Sequence, residues 1–595
     1  MGWEAGSSAD LDEALGAFAR SEGPFKRRLE RMLLAVEPAV ADAVMLLLKE
    51  SRGAWALLLG RSNGSALVCC NALSGTPVAL ATLGFRVTIV DRCPRRLRFA
   101  LDRAKALVPG TTACVMAGRG DRLPFADGAF DVAVHEDGLP GASTGWGFDL
   151  EELRRTAREE LLVTADNRLG YKRSTGRRGR FRRDPRVLVR EVLRPSRGEA
   201  SLPVTRARVR ADWESDAAYS LYPHAREFSH VVALDAARPR LTIGPRERRN
   251  RIKMVGFRLG LFRWLTPSFA VHAKRQEGGA SRLDRMLRRL SEEVGEPQPE
   301  ADVLVATRSN DALVHTAPRA GERGDGRGRG DAGRWTVHVA LQPSKRRMVA
   351  IHHGWLERIR RERPDVPVPE PLFHGDIEGA DVAVERRLGG LGGTDVTGDA
   401  ARTEVMFADA ARILGQLVDD EPTRMDGALV ETMLRARFRR VAELVGSERT
   451  RREVLRRADR TVEAFEGREV RLAVYHADLR GKHVQVDADG RVLGLLDWGA
   501  SEERFLPLAD LLQLVVHQRK QETGETFGEA WRAVAGPGTR RASERAAIDA
   551  YAERAGLDEE TVADLFDAYP LLVAGMAERN WDYSRPDWVA RQFGL

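Results

Sequence analysis

The segment YHADLRGKHVQVDADGRVLGLLDWG, residues 475–499, carries Asp478 near its start and Asp497 near its end, with His476 and His483 close to the first. The apolar alternation in VQV and RVLGLL, broken by the turn DADG at 487–490, is the pattern of a β-hairpin. Such a hairpin brings Asp497 back beside Asp478. Paired carboxylates at two strand ends suit phosphoryl transfer, in which one side chain orients and deprotonates an acceptor hydroxyl while others hold a divalent ion against the phosphates. The blander reading makes Asp478 a turn former and His476 a packing histidine. It leaves two motifs at this separation unexplained.

A second set of residues lies in SALVCCNALSGTPVALATLGFRVTIVD, residues 65–91. Strand, turn, helix and strand follow one another there, the mark of a βαβ unit. Ligands cross the carboxyl ends of such strands, where turn N–H groups approach them and an acid closing the second strand binds ribose hydroxyls. Asp91 is that acid. Cys70, Ala72 and Ser74 stand where a glycine signature would fall, and Gly75 supplies the flexible turn. A nicotinamide nucleotide would use Asp91 equally well.

These motifs need a frame. Residues 9–60 carry apolar residues at helical spacing and read as a helical lead-in, 1–60. The strand and helix alternation then runs to Arg275, with FDVAVHED, ELLVTADN and SFAVHAKR as strands, giving a first α/β domain over 61–275. Residues 276–300 read as a polar helix running into a proline-bearing linker. Residues 301–595 form the second domain, with strands in RWTVHVAL and ADVAVERRL and a helix in AIHHGWLERIRR. The Gly/Arg-rich stretch 317–335 is too poor in apolar surface to order itself.

A chain of 595 residues is too long for one core. Its four cysteines, at 69, 70, 93 and 114, form no CxxC pair, so neither a disulfide framework nor a structural zinc is indicated, and a cytoplasmic location fits. The net charge of +8 is small for this length. Clusters such as RRGRFRR (177–183) and RERRNR (246–251) are scattered and have few interleaved aromatics, which argues against nucleic acid as a partner. No stretch approaches the ~18 apolar residues of a membrane span, while peripheral membrane contact stays open.

With GDRLPFADGAFDVAVHED (120–137) added to the βαβ segment, the front half resembles class I S-adenosylmethionine-dependent methyltransferases. That resemblance implies a Rossmann-like domain binding S-adenosylmethionine through Cys70, Ala72, Ser74, Gly75 and Asp91, with Asp121 on the adenine side. Asn167, Tyr171 and Lys172, in a stretch that follows a strand, either face an acceptor or belong to a polar surface loop. The back half resembles the aminoglycoside phosphotransferase and choline kinase family, whose H-G-D-L-x-x-x-N and I-D-W/F-G motifs match at His476, Asp478, Leu479, Asp497, Trp498 and Gly499, with PLADLL (507–512) downstream.

This second resemblance implies a bilobal α+β kinase-like domain using ATP and Mg2+. Asp478, with His476, is then catalytic, and His483 and Asp497 hold the metal, His483 standing at the asparagine position. His338 falls where the family keeps its phosphate-gripping lysine and His352 near the partner glutamate, with Lys345 or Arg346 as substitutes for the lysine. The two halves together imply a bifunctional transferase acting on a glycan or small polyhydroxylated metabolite, an arrangement similar to bifunctional O-antigen chain terminators. An aminoglycoside-like acceptor is the second choice. The rival is a non-catalytic ligand-binding scaffold with two degenerate sites.

Overall fold

A computed structural model describes residues 7–117, 122–136, 150–167, 170, 199–200, 202–210, 213–223, 225, 228–235, 262–276, 279–307, 311–319, 333–445 and 447–580. Asp121, Tyr171, Lys172 and the clusters at 177–183 and 246–251 lie outside them. Two compact units divide the chain: residues 1–28, 42–346 and 373–384 make one, and residues 29–41, 347–372 and 385–595 the other.

The first unit is built on the βαβ segment read from the sequence. Strand β1 (Gly64–Cys69), the helix Thr76–Thr82 and strand β2 (Phe85–Asp91) follow one another, then β3 (Thr112–Met116), β4 (Phe130–His135) and β5 (Ala157–Asn167). β1 lies between β2 and β4, parallel to both, and β5 extends the sheet parallel to β4. Leu67, Val68, Val132, Val134, Leu161 and Val163 are fully buried. Strands covered on both faces read as continuous apolar runs, which is why these segments were legible. The order 3-2-1-4-5 reverses direction between β1 and β4, the switch point of a doubly wound sheet.

Beyond β5 the sheet turns antiparallel and does not stop at the first half. Strands β6 (Ser215–Tyr222), β7 (His230–Ala233) and β8 (Ser268–Lys274) run in the order β5, β8, β6, β7. Strand β9 (Glu300–Ala306) then pairs antiparallel with β7, Leu304 opposite Val231 and Val305 opposite His230. It leads on to β10 (Asp311–Ala317) and β11 (Trp335–Ala340), with β12 (Pro371–Ile377) and β13 (Ala380–Arg386) completing the edge.

Residues 276–300 therefore sit within a compact unit, and compactness divides the chain elsewhere than at the expected linker. They hold the helix Arg282–Val294, capped by Ser281, whose hydroxyl accepts the Asp284 N–H, and closed by Gly295 at φ 72°. The buried Arg282 guanidinium donates to the Leu83 carbonyl at 2.8 Å. The lead-in consists of the helices Ser7–Arg20, Phe25–Leu34 and Pro38–Leu47, and the 3-10 turn Glu50–Leu58.

The second unit is mostly helical, as expected. The helices Ala400–Gly415, Ala436–Glu443, Glu448–Phe465, Ala509–Thr523 and Glu559–Asn580 enclose a core that includes Phe438, Phe465, Leu511, Leu514 and Tyr569. Against this core lie β14 (Ala473–Tyr475), the hairpin β15 (Val484–Val486) and β16 (Val492–Leu495), and β17 (Glu502–Phe505), which pairs with β14. The hairpin turn is set by Asp487, whose carboxylate accepts the N–H groups of Asp489 and Arg491. Among the described residues, no helix is long and apolar enough to cross a membrane.

Candidate active site

The chain leaves β14 at Tyr475 and bends sharply, with Ala477 at φ 67°. An aspartate from the helix Ala509–Thr523 holds this bend: Asp510 accepts the N–H of His476 at 2.7 Å and that of Ala477 at 3.0 Å. Burial pushes the Asp510 carboxyl up to about 7 against the opposing effect of these two donors. The bend delivers Asp478 into a half-open position, its side chain 25% exposed.

His476 takes another part. Its ring is completely buried, 4.7 Å from the Trp498 ring, with Nε2 at 2.8 Å from the Leu496 carbonyl. Burial lowers its pKa to about 4, so the ring is neutral near neutrality and Nε2–H donates to Leu496. The Asp478 N–H donates to its Nδ1 at 3.4 Å. The resemblance implied catalysis by His476. The structure buries that ring, where it joins the segment before Asp497 to the amide of Asp478.

The hairpin returns Asp497 as the sequence pattern required. Asp497 adopts a left-handed conformation at φ 65°, ψ 62°, which aspartate tolerates better than most residues. Its Oδ2 lies 3.1 Å from Nε2 of His483. Nδ1 of His483 donates to the Asp478 carbonyl at 2.6 Å and lies 3.8 Å from its Oδ2. Ligand atoms of Asp478, His483 and Asp497 all fall within 4.8 Å of one another. Partial desolvation would raise the Asp497 carboxyl, whose side chain is still 43% exposed, but the charge and hydrogen bond of His483 outweigh it and hold the group well below the usual carboxylate range.

Arg480 pairs with Oδ2 of Asp478. A divalent ion fits this corner, since two carboxylates and an imidazole are oxygen and nitrogen donors at coordination spacing.

His352, on the helix Pro343–Glu362, accepts the Trp498 N–H at 3.0 Å and reaches Glu385 at 2.8 Å. It ties that helix to the turn after Asp497. His338 is buried on β11, in the other compact unit. Arg346 is engaged within that unit, donating to the Thr82 carbonyl at 2.9 Å.

The turn after β1 is built differently from the sequence expectation. Asp91 is fully buried and accepts four hydrogen bonds: Ala72 N–H at 2.8 Å, Cys93 N–H at 2.9 Å, and Nε and Nη2 of Arg96 at 3.0 Å each. A carboxylate has about four lone-pair sites, so these donors saturate it. Cys70, Ala72 and Ser74 are buried, and the Ser74 hydroxyl donates to Glu136 at 2.5 Å.

Gly75 packs directly against the lead-in: a Cβ there would lie 2.2 Å from the Lys49 carbonyl. Arg103 donates to the carbonyls of Leu73 and Ser74 at 3.3 Å. The turn is filled by the chain itself, and Asp91 presents no open oxygen to a ribose. These residues do not fit S-adenosylmethionine as they stand.

Comparison with known proteins bears on the second half. Residues 326–550 match the model of the phosphotransferase enzyme family. Similar solved structures include aminoglycoside phosphotransferase APH(3'')-Id from Streptomyces rimosus, 18% identical, covering 50% of this chain and 96% of that one at a TM-score of 0.30. Macrolide 2'-phosphotransferase type I is 14% identical, covering 51% and 94% at 0.30.

For the front half, a putative S-adenosylmethionine-dependent methyltransferase from Methanococcus maripaludis is 15% identical, covering 24% of this chain and 65% of that one at 0.18. No curated protein matches. Within residues 326–550, sequence reasoning missed Asp510 and Arg480. PLADLL signalled the first, and its place two residues after Asp478 the second.

Proposed function

We propose that the phosphotransferase-family domain moves a phosphoryl group from ATP to a hydroxyl of a glycan or small polyhydroxylated metabolite. The observation that carries this is the convergence of Asp478, His483 and Asp497 within 4.8 Å. Arg480 and His483 both approach Oδ2 of Asp478, so Oδ1 is the oxygen left to accept the proton of the acceptor hydroxyl. As that hydroxyl oxygen bonds to the transferred phosphorus, the bond to the departing ADP breaks. A divalent ion held by His483 and Asp497 would supply charge neutralisation at the phosphates.

The test is phosphoryl transfer from γ-labelled ATP to a panel of sugars, aminocyclitols and other polyols. The expected result is a labelled product from the parent, reduced by about a hundredfold or more in Asp478→Asn and in Asp497→Asn.

The scaffold reading draws on one specific feature, His338 in the strand where the resembled family keeps its lysine. Nucleotide binding without turnover in the parent would favour it. Methyl transfer by residues 61–275 has strand order on its side and the saturated Asp91 against it. Calorimetry of the full chain with S-adenosylmethionine at millimolar concentration should give no binding heat. Binding that disappears in Asp91→Ala would restore the bifunctional reading.

A further inference from the structure

His483 is an unusual corner for a magnesium site. Its backbone is fixed from both sides, its N–H donating to the Arg480 carbonyl at 2.7 Å and its carbonyl accepting the Leu496 N–H at 2.8 Å. The ring is fixed as well. Nδ1 donates to the Asp478 carbonyl, and the side chain is only 6% exposed. Donation of one ring N–H to a backbone carbonyl is the arrangement that orients metal-binding histidines and sets the tautomer. Nε2 is then the ring atom that faces Oδ2 of Asp497, at 3.1 Å, a gap that either a proton on Nε2 or a divalent ion bound by both atoms can bridge.

The donor set says which cation suits. Mg2+ requires near-ideal octahedral oxygen coordination and retains its waters. An imidazole nitrogen shifts preference toward Mn2+ and the later first-row ions, while two carboxylates keep the site hard enough for Mn2+. We propose that His483, with Asp497 and beside the carboxylate of Asp478, makes this a site selective for Mn2+ over Mg2+, with Nε2 bound directly to the ion. The inference rests on the phosphotransferase reading of the same three residues. A proton on Nε2 is the competing occupant of the gap.

The test uses the full chain with Mn2+ alone and with Mn2+ plus a non-hydrolysable ATP analogue. Electron spin-echo spectra of bound Mn2+ should show modulation from a directly coordinated nitrogen in the parent and none in His483→Asn. Loss of the free Mn2+ signal, titrated back with Mg2+, gives the selectivity. The Mg2+ excess needed to release half the Mn2+ should fall by about tenfold or more in His483→Asn.

Mn2+ bound without nitrogen coupling, no bound Mn2+ at all, or an unchanged Mg2+ excess would each overturn the assignment and leave a shared proton only. If His483→Asn fails to fold, the parent spectrum decides alone. Should Asp478→Asn and Asp497→Asn abolish turnover while Mn2+ bound to the parent shows no nitrogen coupling, the metal assignment falls and the phosphotransferase reading survives. Should neither aspartate matter to turnover, both fall.

Discussion

Asp510 acts on the site without reaching it. Its two oxygens hold the amides of His476 and Ala477, and so fix the bend from which Asp478 projects. The unfolded carboxyl titrates near ~4, the folded one at about 7. The fold thus binds this proton more tightly. The group's contribution to stability is fully present below the unfolded value and is lost as pH rises through about 7. Asp510→Asn removes that titration, so melting temperatures taken at about pH 5.5 and pH 8.5 should fall more in the parent than in the variant.

An equal change in both would contradict the assignment. Turnover should fall in the variant as well, because an amide cannot accept both N–H groups. Asp478 and Asp497 were legible because a local hairpin joins them, whereas Asp510 lies 34 residues from His476 and finds it only through packing. Asp91 was legible as an acid at a strand end. Its capture by Arg96, in the first turn of the helix Pro94–Leu107, was not, because a strand pattern does not say which neighbouring side chain claims an oxygen.

At the scale of elements, the hairpin β15–β16 decides whether the site assembles. Its turn ends in Gly490 at φ 92°, where a Cβ would lie 2.5 Å from the Arg402 carbonyl. Gly490→Ala meets both a disfavoured backbone region and a backbone contact, so it should cost roughly 1–3 kcal/mol, read from denaturant unfolding. An unchanged midpoint would show that the turn relaxes freely. The DADG signal made this hairpin readable, and continuous apolar runs did the same for β1, β2 and β4. Strand β9 fell across the expected linker and domain edge. Seven residues beginning EAD carry too little alternation to stand out against that context.

The whole molecule does not come apart where the sequence suggested. Strand β9, from the second half, covers β7, so cutting the chain at Arg275 would leave β7 an unpaired edge. A fragment of residues 1–275 should therefore self-associate in size-exclusion chromatography while the full chain does not. A monodisperse fragment would argue that the β7–β9 pairing is dispensable. The order of strands and helices within β1 to β5 was legible from motif and period. The shared sheet was not, because strand pairing between distant segments leaves no local trace.

If Asp478 and Asp497 form one phosphoryl-transfer site, as proposed, transfer from γ-labelled ATP tests it most directly. The parent should give a labelled product, reduced about a hundredfold to ten-thousandfold in Asp478→Asn. Full activity in that variant would contradict it.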